Sequence, residues 1–171
     1  NQIVNITRYD VEISKQMLKL LGVQYYDSSN EAETLCAHFA CHGKVDAVLS
    51  NDTDVMVYGT PVFLTKLNMA TETLMEIRYQ ELVDCLELTK PQFTDFCIMS
   101  GTDYNKNIYR ISSEKSYKLL QQYKSLENIT EHANLDTSIL NYQRVREIFL
   151  VPDELDSIYE FANYKPDISK F

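Results

Sequence analysis

Val45-Asp-Ala-Val-Leu-Ser-Asn-Asp-Thr-Asp54 sets a short apolar run directly against two aspartates. An apolar run of this length bounded by turn residues predicts a buried strand over Val45–Leu49, with Asp52 and Asp54 just past its carboxyl end. Upstream, Ser28-Ser-Asn-Glu-Ala-Glu33 opens a helical pattern that runs to about His42, where Gly43 ends it. Glu31 and Glu33 fall in that helix's first turn, where negative charge suits the helix dipole. Further along, Gly101-Thr-Asp-Tyr104 places a fifth carboxylate, Asp103, at a helix stop. Acids gathered in one cleft raise each other's pKa and repel unless a divalent cation neutralises them. Glu31, Glu33, Asp52, Asp54 and Asp103 therefore read as a magnesium site, and hence as phosphate chemistry. Taken singly, each pair also reads as ordinary capping acids.

Around these points the first half alternates. Val11, Ile13, Met17, Leu18, Leu20 and Leu21 recur at near-helical spacing over about 10–21, Gly22 stops that helix, and Val23–Tyr26 reads as a strand. Val62–Leu67 and Thr73–Arg78 read as a hairpin. The order strand, helix, strand predicts a parallel α/β sheet with one right-handed crossover, with ligands bound beyond the strands' carboxyl ends. From Tyr79 onward helices dominate, at about 79–87, 91–100, 113–122, 125–132 and 137–149. Pro91 suits a first helical turn, and the helices flanking 101–112 predict a helical hairpin beside the acidic cleft. The expected fold class is thus α/β, a partial parallel-sheet core over residues 1–90 with an all-helical annex over 91–171.

Composition bounds the function classes. The 171 residues are 44% hydrophobic, enough for one compact core, with four glycines, four prolines and no low-complexity run. No apolar stretch approaches the roughly 18 residues of a membrane span, and the basic start of a secretory signal is absent. The chain begins at Asn1, which leaves room for an upstream segment. A formal charge of −9 argues against a protein that coats nucleic acid by bulk attraction, yet residues 105–124 carry a net +4. Lys106, Arg110, Lys115, Lys118 and Lys124 face only Glu114 there, a candidate phosphate-contacting surface that a solvated helix face explains about as well. Cys36, Cys41, Cys85 and Cys97 lack paired spacing and read as reduced packing thiols in an intracellular protein. Cys36 and His38 would point about 200° apart on a helix, so the run Cys36-Ala-His-Phe-Ala-Cys-His42 is not expected to close a zinc site. Tyr25, Phe39, Phe63, Phe93, Phe96 and Phe149 lie on apolar faces and are expected in the core; Tyr104, beside Asp103, could pack or stack on a base.

At these residues the chain resembles the flap endonuclease family, the structure-specific 5′ nucleases that include the XPG-type repair enzymes. The resemblance rests on Leu21-Gly-Val-Gln-Tyr-Tyr-Asp-Ser-Ser-Asn-Glu-Ala-Glu33, on Gly43-Lys-Val45 leading into Ser50-Asn-Asp-Thr-Asp54, and on Tyr58-Gly-Thr-Pro-Val62. It continues through Gln92-Phe-Thr-Asp-Phe-Cys-Ile-Met-Ser-Gly-Thr-Asp-Tyr104 to Ile148-Phe-Leu-Val-Pro152. It implies hydrolysis of phosphodiesters in branched or 5′-flap DNA by two Mg²⁺ ions, for which Mn²⁺ can substitute. By position, Glu31 and Glu33 would face the first ion, with Glu33 also near the second, and Asp52, Asp54 and Asp103 would hold the second. DNA contacts would fall to Lys106, Arg110, Ser112, Lys115 and Lys118. The family's first nuclease segment, with two more metal-ligating aspartates, has no counterpart, and neither has its C-terminal tail, where sliding-clamp segments can occur. The resemblance therefore implies a piece cut at both ends and inactive as a nuclease by itself, from a protein that is intracellular, and nuclear if its host is eukaryotic. In the hairpin loop, family members show Ile-x-Gly-Ile-Gly and bind a monovalent cation, whereas Ile108-Tyr-Arg-Ile-Ser112 sets Arg110 and Ser112 at the glycine positions. Since glycine alone accepts positive φ without cost, that cation site is not expected here. Some proteins similar to this family have lost catalysis and act as nucleic-acid or protein interaction scaffolds; the five carboxylates argue against that alternative.

Overall fold

The computed structural model describes residues 5–28 and 31–150. Helix α1 (Arg8–Leu20) opens on a capping box in which the Thr7 and Asp10 side chains serve each other's backbone N–H groups. It ends at Gly22, whose φ of +68° lets Val23 N–H reach back 2.8 Å to the Leu18 carbonyl. The apolar residues read at near-helical spacing leave an open stripe here. Val11, Ile13, Met17 and Leu20 are all exposed, and α1 buries no residue.

Val23–Tyr26 forms no strand, contrary to its β-branched and aromatic composition. Strand character needs a pairing neighbour, and this segment takes no place in the three-stranded sheet. Helix α2 (Ala32–Cys41) follows, with Glu31 at its N-cap and no side-chain cap. Ser28, one of two expected caps, instead donates its hydroxyl to the Glu31 carbonyl at 3.1 Å; Ser29 lies outside the described residues. Leu35, Ala37, His38, Phe39 and Ala40 are buried, so α2 lies deep in the layer above the sheet.

Strand β1 is only Val48–Leu49, shorter than the expected Val45–Leu49. It pairs in parallel with β2 (Val62–Asn68), which turns back antiparallel into β3 (Thr73–Arg78). The hairpin is as expected. The parallel pair is joined through a 3₁₀ turn, Thr53–Met56, whereas the crossover expected through the helix ending near His42 has no first strand, because Val23–Tyr26 does not pair. Asp52 caps that turn by accepting the Asp54 N–H at 2.9 Å. Ala40, Val48, Val55 and Phe63 form the small core between sheet and α2.

The remaining helices are α3 (Tyr79–Cys85), α4 (Lys90–Ser100), α5 (Ser113–Tyr123), α6 (Leu126–His132) and α7 (Tyr142–Ile148). A second capping box, Thr89 with Gln92, starts α4 with Pro91 in its first turn. The expected single helix over 137–149 is broken: Ser138–Leu140 is 3₁₀, and Asn141 takes φ +46° before α7 begins. Asparagine tolerates that left-handed conformation better than most residues. The main core joins Tyr58 with Ile98, Met99, Leu120, Leu126, Ile129, Leu140, Val145 and Phe149. Val151 and Pro152 lie outside the described residues. Phe39, Phe63, Phe93 and Phe149 are buried as expected, and Phe96 packs at the core's edge. Tyr25 is not in the core; it is exposed, with the Lys15 ammonium 6.0 Å from its ring. Of the cysteines, only Cys97 is half-buried, whereas Cys36, Cys41 and Cys85 lie exposed on the outer faces of their helices. No helix among the described residues is long and apolar enough to cross a membrane.

Candidate metal centre and nucleic-acid interface

Three of the five acids line one open cleft of about 570 Å³, between the 3₁₀ turn and the loop after α4. Asp52 and Asp54 form one wall; Asp103, Asn105, Lys106 and Asn107 form the other. The cleft exists because β1 stops at Leu49 and the chain turns at once, while α4 stops at Gly101. That glycine adopts φ +112°, and a side chain there would collide with the Asn107 amide.

Burial, then the charges of Asp52, Asp103 and Glu33, push the Asp54 carboxyl up from 3.8 to about 6. Carboxylates from α2, the 3₁₀ turn and the loop after α4 thus act on one group, although they lie far apart in sequence. Glu31 at the N-cap of α2 acts with Asp54 on the neighbouring Tyr104 phenol, which burial above all pushes above its usual range. None of the five acids has an ion-pair partner among the described residues. Nor, among those residues, do three acids, histidines or cysteines converge tightly enough to close a metal cage. The donor set still fits a hard divalent cation: oxygen ligands only, uncompensated charge, and an open cleft that leaves room for the waters Mg²⁺ keeps.

The Asp103 loop is held by contacts that sequence reasoning missed. Asn105 Nδ2 donates to the Ile98 carbonyl at 2.9 Å and to that of Lys106 at 3.2 Å, while its Oδ1 accepts the Thr102 hydroxyl at 2.6 Å. Thr102 in turn accepts the Tyr104 N–H at 3.2 Å. A polar residue right after the Gly-Thr-Asp-Tyr turn was the signal available.

The basic residues lie along the adjoining loop and helix. Lys106 borders the acidic cleft; Arg110 is exposed with its guanidinium 4.9 Å from the Tyr109 ring centre. Ser112 caps α5 by accepting the Lys115 N–H at 3.3 Å, and Lys115 is exposed. Lys118 pairs with Glu114 at 2.6 Å on the same helix. Arg110 takes φ +61°, so a residue expected to resist the left-handed conformation adopts it nonetheless. The cost is of order 1 kcal/mol.

A short mixed sheet bearing an acidic cleft, flanked by a helical hairpin with a basic loop, defines the class: an α/β nuclease-type core with a helical annex. Residues 22–103 match the XPG I-region family. The chain is 38% identical over 165 residues to the "Probable RAD2-like endonuclease 076L" of invertebrate iridescent virus 3, an alignment covering 86% of this chain and 42% of that protein. It is 36% identical over 162 residues to flap endonuclease 1 of Scheffersomyces stipitis, covering 89% of this chain and 42% of that protein. Among solved structures, flap endonuclease-1 from Methanococcus jannaschii superposes with a TM-score of 0.76 at 26% identity, over 96% of this chain and 50% of that one. The Holliday junction-resolving enzyme GEN1 in complex with product DNA and Mg²⁺ shares the fold, with a TM-score of 0.62 at 23% identity over 90% of this chain and 41% of that one. The chain belongs to the flap endonuclease/XPG-type nuclease family. It spans less than half the length of these two curated relatives.

Proposed function

We propose that this chain supplies the acidic half of the metal site and the DNA-positioning helices of a Mg²⁺-dependent, structure-specific 5′ nuclease that hydrolyses phosphodiesters in branched DNA. One observation carries the reading: Asp54, raised to about 6 by burial and then by Asp52, Asp103 and Glu33, gathers acids from three separate segments with no cationic side chain paired to any of them among the described residues. Such charge is costly unless a cation or a proton neutralises it. Two Mg²⁺ ions bound there would supply water activation and neutralisation of phosphate charge, with Mn²⁺ able to replace them. Glu31 and Glu33 would face one ion, and Asp52, Asp54 and Asp103 the other. The protein's own part is to hold those oxygens on three rigid elements and to keep phosphate in register.

That second task falls to the helical side. Lys106, Arg110, Lys115 and Lys118 would contact phosphates, and Ser112 would fix the start of α5; such contacts position a duplex without reading its sequence. The division of labour follows the chain, with the metal-site half in residues 1–90 and the DNA-positioning half in 91–171, to which Asp103 is the bridge. The family's setting implies an intracellular protein, nuclear in a eukaryotic host, and sliding-clamp contact through a tail segment. The test is cleavage of a 5′-flap substrate by the complete gene product. Asp54→Ala is expected to lower the Mg²⁺- or Mn²⁺-supported rate at least about a thousandfold. A wild-type protein that binds flap DNA but never cuts it with either ion would overturn the reading in favour of a scaffold.

A further inference from the structure

Beside the acid-bearing segments lies a pair of hydroxyl groups that packing alone does not require. The Thr34 hydroxyl on α2 donates to the Tyr58 hydroxyl at 2.9 Å. Tyr58 is 1% exposed, and its ring and that of Tyr104 both stand edge-on against Phe149, at 5.2 and 5.4 Å between ring centres. Phe149 thus joins the Tyr58 ring to the Tyr104 ring in the main core. The three residues have a common placement in sequence: Thr34 follows Glu33, Tyr58 lies four residues after Asp54, and Tyr104 follows Asp103. Phenylalanine would fill the Tyr58 site in the main core equally well, and a buried hydroxyl is costly unless its partners are present. A satisfied polar pair of this kind rigidifies what it joins.

From this we infer that Tyr58 is a positioning residue which, through its hydrogen bond with Thr34 and the Phe149 ring it shares with Tyr104, fixes the mutual placement of the three carboxylate-bearing segments and so sets the site's affinity for a divalent cation. Tyr58 touches neither metal nor substrate; it acts through α2 and the Asp103 loop. The inference rests on the metal-site reading above. Removing the hydroxyl leaves the ring and the core volume intact but frees α2 from the segment that follows Asp54, so the carboxylates bind the ion from a looser arrangement.

The experiment is calorimetric titration of Ca²⁺, which binds without supporting turnover, into the complete gene product and into Tyr58→Phe, Thr34→Ala and the Thr34→Ala, Tyr58→Phe pair. Tyr58→Phe is expected to weaken Ca²⁺ binding about fivefold, as for the loss of one net hydrogen bond. Thr34→Ala is expected to add nothing further in the Tyr58→Phe background, because the hydrogen bond is already broken there. Ca²⁺ binding that is abolished by Asp54→Asn but unchanged in Tyr58→Phe and Thr34→Ala would overturn this inference while sparing the metal site. Absence of Ca²⁺ binding by the wild-type protein would overturn both. Should Tyr58→Phe fold poorly, Thr34→Ala decides the question, since it removes the same hydrogen bond from the other side.

Discussion

Asp54 is the residue at which the charge of the cleft is concentrated. Its folded pKa of about 6 lies above the ordinary 3.8, so the proton binds the folded state more tightly than the unfolded one. The resulting stability is fully present below pH 3.8 and is lost as the pH rises through 6. With a chelator present, the ionised Asp54 therefore weakens the fold at pH 7.5 by about 2 kcal/mol, since the roughly 3 kcal/mol of a shift of about two units is reduced by the solvent that screens a half-buried carboxylate. Asp54→Asn is expected to raise the chelator-treated melting temperature by several degrees at pH 7.5 and by nothing near pH 4. Adding Ca²⁺ at pH 7.5 should reverse the order, because the wild-type carboxylate gains a partner that asparagine replaces poorly. Thermal melts at the two pH values check this, and an advantage for asparagine that survives at pH 4 would exclude charge as its cause. Tyr58 shows the other way one residue acts, through neutral hydroxyls rather than charge.

Among the elements, the loop between α4 and α5 joins the acidic cleft to the basic surface. Gly101 and the Asn105 clasp set its start, and Ser112 sets its end. Arg110 pays a local backbone cost to keep a left-handed turn inside it, and its guanidinium is delivered to the surface beside Tyr109. Phosphate contacts by side chains release counterions, and the salt dependence of binding counts them. The double change Arg110→Ala, Lys115→Ala in the complete gene product is expected to weaken duplex binding and to reduce the slope of log affinity against log salt by about 2. Fluorescence anisotropy across a salt series measures it, and an unaltered slope would remove both side chains from the interface. Lys118 is a poorer choice for this test, because Glu114 already shares its charge.

Across the whole molecule, one buried ion pair ties the helical annex together. Asp95 on α4 is 2% exposed and accepts two bonds from the Arg146 guanidinium on α7, at 2.7 and 2.8 Å, while also receiving the Leu126 N–H of α6 at 3.3 Å. Burial pushes the Asp95 carboxyl up, and Arg146 opposes that rise. Arg146→Ala leaves the carboxylate buried without its counter-charge and is expected to cost about 3 kcal/mol in urea unfolding. Replacing both partners, as Asp95→Leu with Arg146→Met, should recover most of that loss; if it does not, packing around α7 rather than charge is responsible.

Local chemistry was legible in the sequence. The first turn at Pro91, the stops at Gly22, Gly43 and Gly101, and the hairpin of β2 and β3 all depend on residues within a few positions of one another. The positions of the five acids at the ends of elements were legible for the same reason, and so was the family. Tertiary structure decided the rest, because it turns on partners distant in the chain. Val23–Tyr26 has strand composition but no neighbour to pair with, β1 is shortened to the two residues that β2 reaches, and the stripe of α1 has no covering element. Only folding could bring the acids of α2 and of the Asp103 loop to bear on Asp54, or set the Thr34 hydroxyl against Tyr58 and the rings of Tyr58 and Tyr104 against Phe149. Caps and periodicity are written residue by residue, whereas an electrostatic field or a hydrogen-bonded chain between segments exists only once the backbone has closed the distance between them.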